Sequence, residues 1–138
     1  MIDKNGHFFH IDFGHFLGNY KSWKGIWNRE KAPFVFTPDY AFVMGGKDSD
    51  KFKYFVRLCC RAYNIARMNG NLFLNLFSMM LSTGIPELQS EDDLLYLRDA
   101  IACELTDLEA AEQFTYLIFQ SLGSMTTQIN FAFHILAH

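Results

Sequence analysis

Residues 10–15 read His-Ile-Asp-Phe-Gly-His, and this short stretch decides how the rest of the chain is interpreted. Its acid, Asp12, ends an apolar run, and Gly14 provides a flexible joint two residues later. An Asp-Phe-Gly tripeptide is a weak signal by itself, because it also occurs by chance. The residues on either side of the hinge therefore have to carry the interpretation.

A β-hairpin is predicted immediately before this hinge. Met1-Ile2 and residues 7–11 form its two short strands, and Asn5-Gly6 favours the positive φ angles of a tight turn. A two-stranded hairpin is only marginally stable in water, so this one must pack against another part of the protein. Asp12 is thereby predicted to stand at the end of a strand.

The segment after the hinge, residues 18–36, has no hydrophobic period and predicts a loop. The bases of this loop are Lys21, Lys24, Arg29 and Lys31. Trp23 and Trp27, the two tryptophans of the chain, lie between them, and Glu30 is the one acid. Lysine and arginine suit phosphate groups, and tryptophan suits a membrane–water boundary. A solvated charged loop is the simpler interpretation, but interleaved tryptophans favour a binding role.

The remaining residues predict helices. Thr37-Pro38-Asp39 combines a hydroxyl cap, a first-turn proline and an acid, all of which favour a helix start. A second helix is predicted from about Ser49 to Met68, and residues 72–81 predict a buried central helix because they are apolar nearly all round. Two further helices are predicted to begin at the capping-box patterns Ser90-x-x-Asp93 and Thr106-x-x-Glu109. A last helix is predicted over residues 125–137. The predicted fold class is mainly α with a small N-terminal β-hairpin.

Composition limits the function further. The 138 residues suffice for one domain, and half of them are hydrophobic. No apolar run reaches the ~18 residues that span a bilayer, so we expect a soluble, cytosolic protein. Residues 1–67 hold eleven of the twelve bases, which suggests an anionic partner for this half. A pI near 5.9 argues against nucleic acid, and three cysteines without metal-site spacing predict reduced, mostly buried thiols.

Asp12 is the first candidate for chemistry. In kinases the acid of such a hinge holds the magnesium ion that bridges the phosphates of ATP, and magnesium prefers carboxylate oxygen. His15 can donate to a phosphate oxygen or carry a proton, although a structural role is an equal alternative. A protein kinase would carry Ala-Pro-Glu roughly twenty to thirty residues later. Here Ala32-Pro33 is followed by Phe34 and not by Glu, which argues against that class.

Four longer stretches together resemble the catalytic domain of phosphoinositide 3-kinases. They are residues 10–18 (HIDFGHFLG), 28–34 (NREKAPF), 71–77 (NLFLNLF) and 84–88 (GIPEL). The resemblance covers essentially the whole chain. It implies the C-terminal part of the large lobe of a protein-kinase-like fold. Residues 1–138 then form part of one catalytic domain, with a hairpin and Asp-Phe-Gly segment (1–17), an activation loop (18–36) and a helical lobe (37–138).

The resemblance also implies roles for single residues in ATP-dependent phosphorylation of an inositol lipid at its 3-hydroxyl. Asp12 resembles the magnesium ligand, Ile11 a residue beneath the adenine ring, and Met1 a methionine on the floor of that pocket. His15 resembles a histidine near the γ-phosphate in some members. The expected headgroup-binding residues are Lys21, Lys24, Arg29 and Lys31. Asn28 departs from the family, which often has a base at this position.

Subclass features are mixed. Residues 55–64 and 121–124 look like class II enzymes, whereas His15 and residues 76–81 look like class I. The sparse bases of the loop favour class II, with phosphatidylinositol and its 4-phosphate as substrates. Two alternatives stay open: a class I enzyme acting on phosphatidylinositol 4,5-bisphosphate, and a non-catalytic helical module for membrane or protein interaction. A phosphatidylinositol 4-kinase is closer than a protein kinase, but its loop would not be expected to carry Arg29-Glu30-Lys31.

The family's catalytic loop, phosphate-covering loop, ATP-binding lysine and small lobe would all precede Met1. We therefore expect a piece of a kinase that is inactive alone. Its expected partners are the small lobe and upstream domains of the parent protein, a phosphoinositide headgroup and an anionic membrane surface, with no nucleic acid. The expected location is the cytoplasm, with peripheral recruitment to membranes.

Overall fold

The structure is a computed structural model. It describes Lys4, Asn5, His7, Leu17, Gly18 and residues 32–124. Residues 22–23 and 27–28 are described by their backbone alone. The elements within this part are β1 (Ser22–Trp23), β2 (Trp27–Asn28), α1 (Pro38–Val43), α2 (Asp50–Met68), α3 (Gly70–Met80), α4 (Glu91–Ile101) and α5 (Asp107–Leu122). The described part of the chain is mostly helical, as predicted. Among the described residues, no helix is long and apolar enough to cross a membrane.

The N-terminal hairpin predicted over residues 1–11 is not supported. Of that stretch the structure describes Lys4 and Asn5, which form a turn, and His7; the predicted strands lie outside the described residues. The described strands occur instead in the loop predicted to be irregular. There β1 and β2 pair antiparallel, with Trp23 opposite Trp27. The sequence did not indicate this ladder, because two-residue strands are too short to show an alternating pattern.

The helix starts, by contrast, lie where the sequence predicted them. Pro38 opens α1, and the hydroxyl of Ser49 accepts a hydrogen bond from the Phe52 N–H at 3.1 Å at the start of α2. At α5 the Glu109 carboxylate accepts from the Thr106 N–H at 2.9 Å, and the Thr106 hydroxyl accepts in return. Caps of this kind satisfy N–H groups that have no partner within the helix. The helix predicted over residues 125–137 lies outside the described residues.

The core lies between α1, α2 and α5. Phe36, Ala41, Phe52 and Ile118 form its buried cluster. Phe36 stands just before α1, and its ring centroid lies 5.3 Å from that of Phe55 and 6.3 Å from that of Phe52. Aromatic rings at these separations bury large apolar areas and add specific contacts. The segment that ends the basic loop is thereby fixed to α2.

The prediction that α3 is a buried central helix is wrong for this structure. Gly70 is its one buried residue, while Leu72, Leu76 and Met79 are 55%, 47% and 76% exposed. The helix packs mainly against α4. Because its apolar side chains surround the whole helix, packing on one side leaves the others open to solvent.

Acid should weaken the fold through two helix caps. Hydrogen bonds from the Gln89 and Ser90 N–H groups lower the pKa of Asp93, and one from the Thr106 N–H lowers the pKa of Glu109. Both pKa values are lower in the folded than in the unfolded chain. The stabilisation is therefore complete above the ordinary carboxylate pKa and is lost as the pH falls through the folded-state values.

We expect Glu109→Gln to lower the melting temperature at neutral pH. As the pH is lowered, the melting temperature of this variant should decrease less than that of the wild type. Circular dichroism melts from pH 7 downward measure both effects. Glu112→Gln, on an exposed position of the same helix outside the cap, is the matched control. Identical curves for the two variants would show that the cap carries no stabilisation.

Candidate functional site

All the site residues predicted from the sequence lie outside the described residues. They are Met1, Ile11, Asp12, His15, Lys21, Lys24, Arg29 and Lys31. Their roles therefore stay predictions. The structure does describe the points at which the chain that carries them is attached to the helices, before and after the basic loop.

The first attachment point comes two residues after His15. Leu17 is buried and has φ +55°, and Gly18 has φ +80°, so the backbone makes a left-handed turn here. A Cβ atom on Gly18 would stand 2.9 Å from Cδ2 of Tyr96 on α4. Glycine suits this position on two counts, since it tolerates positive φ and leaves room for the tyrosine ring. The chain directly after the hinge is thus held against α4.

Gly18→Ala should disturb this attachment. We expect it to lower the free energy of unfolding by about 1–2 kcal/mol, because alanine at positive φ is strained and its methyl group meets Tyr96. Gly84→Ala is the matched control, since Gly84 has φ +79° but nothing within 4 Å of an added Cβ. Urea unfolding of the two variants separates the contact from the strain. Equal losses for both would contradict a close Gly18–Tyr96 packing.

The second attachment point ends the loop. The Phe34 ring stacks on Phe114 of α5 with centroids 5.8 Å apart, and Phe36 is 7% exposed within the core. Both ends of residues 18–36 are therefore tied to the helical part, one to α4 and the other to α2 and α5. Between them lies the short β1–β2 ladder. In the sequence Lys21 and Lys24 flank β1, and Arg29 follows β2 directly.

A buried arginine joins the helices and was not predicted from the sequence. The Arg67 side chain at the end of α2 is 5% exposed, and its Nε donates to the carbonyl of Ala102 at 3.1 Å. Its guanidinium also donates to the Leu105 carbonyl, to the Asn64 side chain at 2.8 Å and to Asp107 at 3.2 Å. Ala102 has φ +46° in this α4–α5 turn. The hydrogen bonds of Arg67 therefore stabilise a strained turn and are not directed at a ligand.

An apolar cavity of about 550 Å³ lies between α1 and the end of α5. Phe42, Phe119 and Leu122 line it, and Lys47 is the one charged residue among the described residues of its lining. The described part of the lining includes no carboxylate, the group that would hold a metal ion beside a nucleotide.

Neither a metal cluster nor a disulfide adds chemistry within the described residues. No three His, Cys, Asp or Glu side chains there could hold a metal ion together. The three cysteines are free. They were expected to be mostly buried, but Cys59 and Cys60 are only half-buried and Cys103 is exposed. Burial, and secondarily the neighbouring Cys60, raises the pKa of Cys59, which disfavours its reactive thiolate form.

Comparison with known proteins identifies the family. A sequence model described as phosphatidylinositol 3- and 4-kinase matches residues 1–90, well over half of the chain and all of its hinge and basic loop. The chain belongs to the phosphatidylinositol 3- and 4-kinase family. This confirms the resemblance drawn from the four stretches of sequence, and it is consistent with a helical part of the large kinase lobe.

Several known proteins are similar in sequence to this chain over its whole length. Phosphatidylinositol 3-kinase 3 of Dictyostelium discoideum is 60% identical over 138 residues, and phosphatidylinositol 3-kinase 1 of the same organism is 61% identical. Phosphatidylinositol 4-phosphate 3-kinase C2 domain-containing subunit alpha of Pongo abelii is 51% identical over 139 residues. The matches cover 99–100% of this chain but 8–9% of those relatives. The chain therefore spans less than a tenth of their length.

Proposed function

We propose that this chain is a segment of a lipid kinase that transfers the γ-phosphate of ATP to the 3-hydroxyl of phosphatidylinositol or phosphatidylinositol 4-phosphate. One observation carries the proposal: the family match includes the Asp-Phe-Gly hinge and the basic loop, and relatives named as 3-kinases match along the whole chain. The finer choice of class II rests on the C2 domain-containing relatives and on the sparse bases of the loop.

Within this proposal Asp12 would hold magnesium, and Met1 and Ile11 would contact the adenine of ATP. A magnesium ion at that position supplies charge neutralisation at the phosphates. His15 would donate to a phosphate oxygen near the transferred group.

Lipid recognition is assigned to the loop bases Lys21, Lys24, Arg29 and Lys31. The two attachment points support this assignment. Gly18 lies against Tyr96 and Phe36 lies in the core, so both described ends of the loop are fixed to helices. Fixing the ends of a loop lowers the entropy lost when the loop binds a ligand. The protein would act in the cytoplasm, at anionic membrane surfaces, together with the small lobe and upstream domains of a longer kinase.

A chimera tests the proposal. The 138 matching residues of Dictyostelium phosphatidylinositol 3-kinase 3 are replaced by this chain, which is 60% identical to them. We expect the chimera to phosphorylate phosphatidylinositol and its 4-phosphate faster than the 4,5-bisphosphate. The purified 138-residue chain should be inactive. A faster reaction with the bisphosphate would favour the class I alternative, and lipid phosphorylation by the chain alone would show that the fragment interpretation is wrong.

The loop bases are tested in the same chimera. Replacing Lys21, Lys24, Arg29 and Lys31 by Ala should raise the lipid KM by about tenfold or more, because each base removed costs a charge-assisted contact with the headgroup. The KM for ATP is the internal control and should stay unchanged. An unaltered lipid KM would reject the headgroup role of this loop.

A further inference from the structure

One exposed side of α2 is both basic and apolar. We call it the basic face of α2, and it consists of Lys51, Lys53, Tyr54, Arg57, Leu58 and Arg61. All six side chains are exposed, including Tyr54 at 55% and Leu58 at 45%. Lys53, Arg57 and Arg61 follow one another at intervals of four residues, so they form a single stripe along the helix.

This face points away from the rest of the described protein. The opposite side of α2 packs on the core and on α5, through the buried Phe52 and through the partly buried Phe55, Val56 and Cys59. The acids of the described helices belong mainly to α4 and α5, which together hold seven acids against the single base Arg98. In α2 five bases stand against one acid, Asp50. Helix α2 is therefore basic, whereas α4 and α5 are acidic.

The charges of the basic face are not balanced within the described residues. The ion pairs found there join Arg67 to Asp107 and Arg98 to Asp99, and neither involves this face. Like charges four residues apart on a helix repel one another and weaken the helix. An anionic partner on this face would relieve that repulsion.

The apolar side chains between the bases decide what kind of anionic partner fits best. The Arg57 guanidinium carbon lies 5.6 Å from the centre of the Tyr54 ring, so a cation and an aromatic ring form one paired unit at the surface. Leu58 lies beside them and has no polar atom to pair. Long bases with apolar stems, tyrosine and leucine on one helical face are the composition of helices that lie on an anionic bilayer surface.

We propose that the basic face of α2 binds an anionic membrane surface and forms a second lipid contact besides the loop bases. The inference rests on the proposed function only in that the substrate of a lipid kinase lies in a membrane. It needs no phosphoinositide headgroup, because an unspecialised acidic lipid such as phosphatidylserine provides the charge. Two contacts on one bilayer would raise the affinity of the whole protein through effective concentration.

Vesicle sedimentation of the 138-residue chain tests this inference. The wild-type chain should sediment with phosphatidylcholine vesicles that contain phosphatidylserine, and should not sediment with phosphatidylcholine alone. Replacing Lys51, Lys53, Arg57 and Arg61 by Ser should weaken binding by about tenfold or more, since each base near an anionic surface contributes to the affinity. Binding of this variant within about twofold of the wild type would overturn the inference.

The matched control is a loop variant with Lys21, Lys24, Arg29 and Lys31 replaced by Ser, which removes the same number of charges. It should keep most phosphatidylserine binding but lose any added affinity for vesicles containing phosphatidylinositol 4-phosphate. If only the loop variant loses binding to both lipids, the inference on α2 fails and the proposed function stands. If only the α2 variant loses binding, the inference stands and the headgroup role of the loop fails.

Two further measurements keep the result interpretable. Circular dichroism melts establish that each variant is folded, and if the fourfold α2 variant is not, Lys53→Ser with Arg57→Ser replaces it, with about a threefold loss expected. Soluble polyglutamate tests an acidic protein partner. Binding to polyglutamate through the same four bases, without sedimentation on phosphatidylserine vesicles, would replace the membrane by an acidic protein and overturn the inference.

Discussion

Replacing Asp12 by Asn in the chimera with Dictyostelium phosphatidylinositol 3-kinase 3 should lower lipid phosphorylation about 10³-fold or more, with the protein still folded. Asparagine keeps the size of the side chain but removes the negative charge that a magnesium ion requires. The loss should appear in kcat, because the group acts on charge that develops as the phosphoryl group leaves. A steady-state assay with phosphatidylinositol vesicles and magnesium-ATP measures it.

The control for Asp12→Asn is Asp50→Asn, an equally conservative change at the exposed start of α2. It should leave kcat within about twofold, as is usual for surface substitutions far from a site. Activity of the Asp12→Asn chimera within tenfold of the unmutated chimera would mean that this carboxylate is not the metal ligand. The proposed role of Asp12 in binding magnesium would then be wrong.

The second large effect concerns stability. Arg67→Met should lower the free energy of unfolding by about 3 kcal/mol, because the arginine donates to the carbonyls of Ala102 and Leu105 in the α4–α5 turn. Methionine fills similar space but offers no donor, so these carbonyls would lose their partner. The turn also contains Ala102 at φ +46°, a conformation that needs support from its surroundings. Urea unfolding of the 138-residue chain measures the loss.

Asp107→Asn separates the ion pair from the backbone hydrogen bonds of Arg67. The Asp107 side chain is 74% exposed, so its contact with Arg67 should contribute less than about 1 kcal/mol. Arg67→Lys should fall between the two variants, because it keeps the charge but loses the fork of donors. If Asp107→Asn were as destabilising as Arg67→Met, the arginine would act through the surface ion pair and not through the turn.

The parts of the fold that the sequence predicted correctly depend on neighbouring residues. Ser49 and Phe52, or Thr106 and Glu109, lie three positions apart, and the chemistry of such a cap is complete within one helical turn. The same is true of the helix that begins at Pro38 after Thr37. A reader of the sequence needs no knowledge of the tertiary structure to place these helix starts.

The features that the sequence did not predict depend on residues far apart in the chain. Gly18 meets Tyr96, and Arg67 meets the carbonyl of Leu105, only after the helices have packed. The apolar character of α3 was evident, but hydrophobicity does not say which surface covers a helix, and here Met79 is 76% exposed. The buried arginine gave one weak signal, a base on the apolar side of α2.

The candidate site divides in the same way. Asp12 and the four loop bases could be proposed from residue chemistry and from the family resemblance, and the family match confirms the class of protein. These five residues lie outside the part of the chain that the structure describes. What the structure adds is the fixing of the loop ends, by Gly18 on α4 and by Phe34 and Phe36 on the core.

The most direct test follows a labelled phosphate. The chimera is incubated with ATP labelled at the γ-phosphate and with phosphatidylinositol, and the position of the label on the inositol ring is determined after deacylation. We predict label at the 3-position, transferred only with magnesium present and lost in the Asp12→Asn variant. Label at the 4-position, or no transfer by a chimera that melts as cooperatively as the parent kinase, would contradict the assignment.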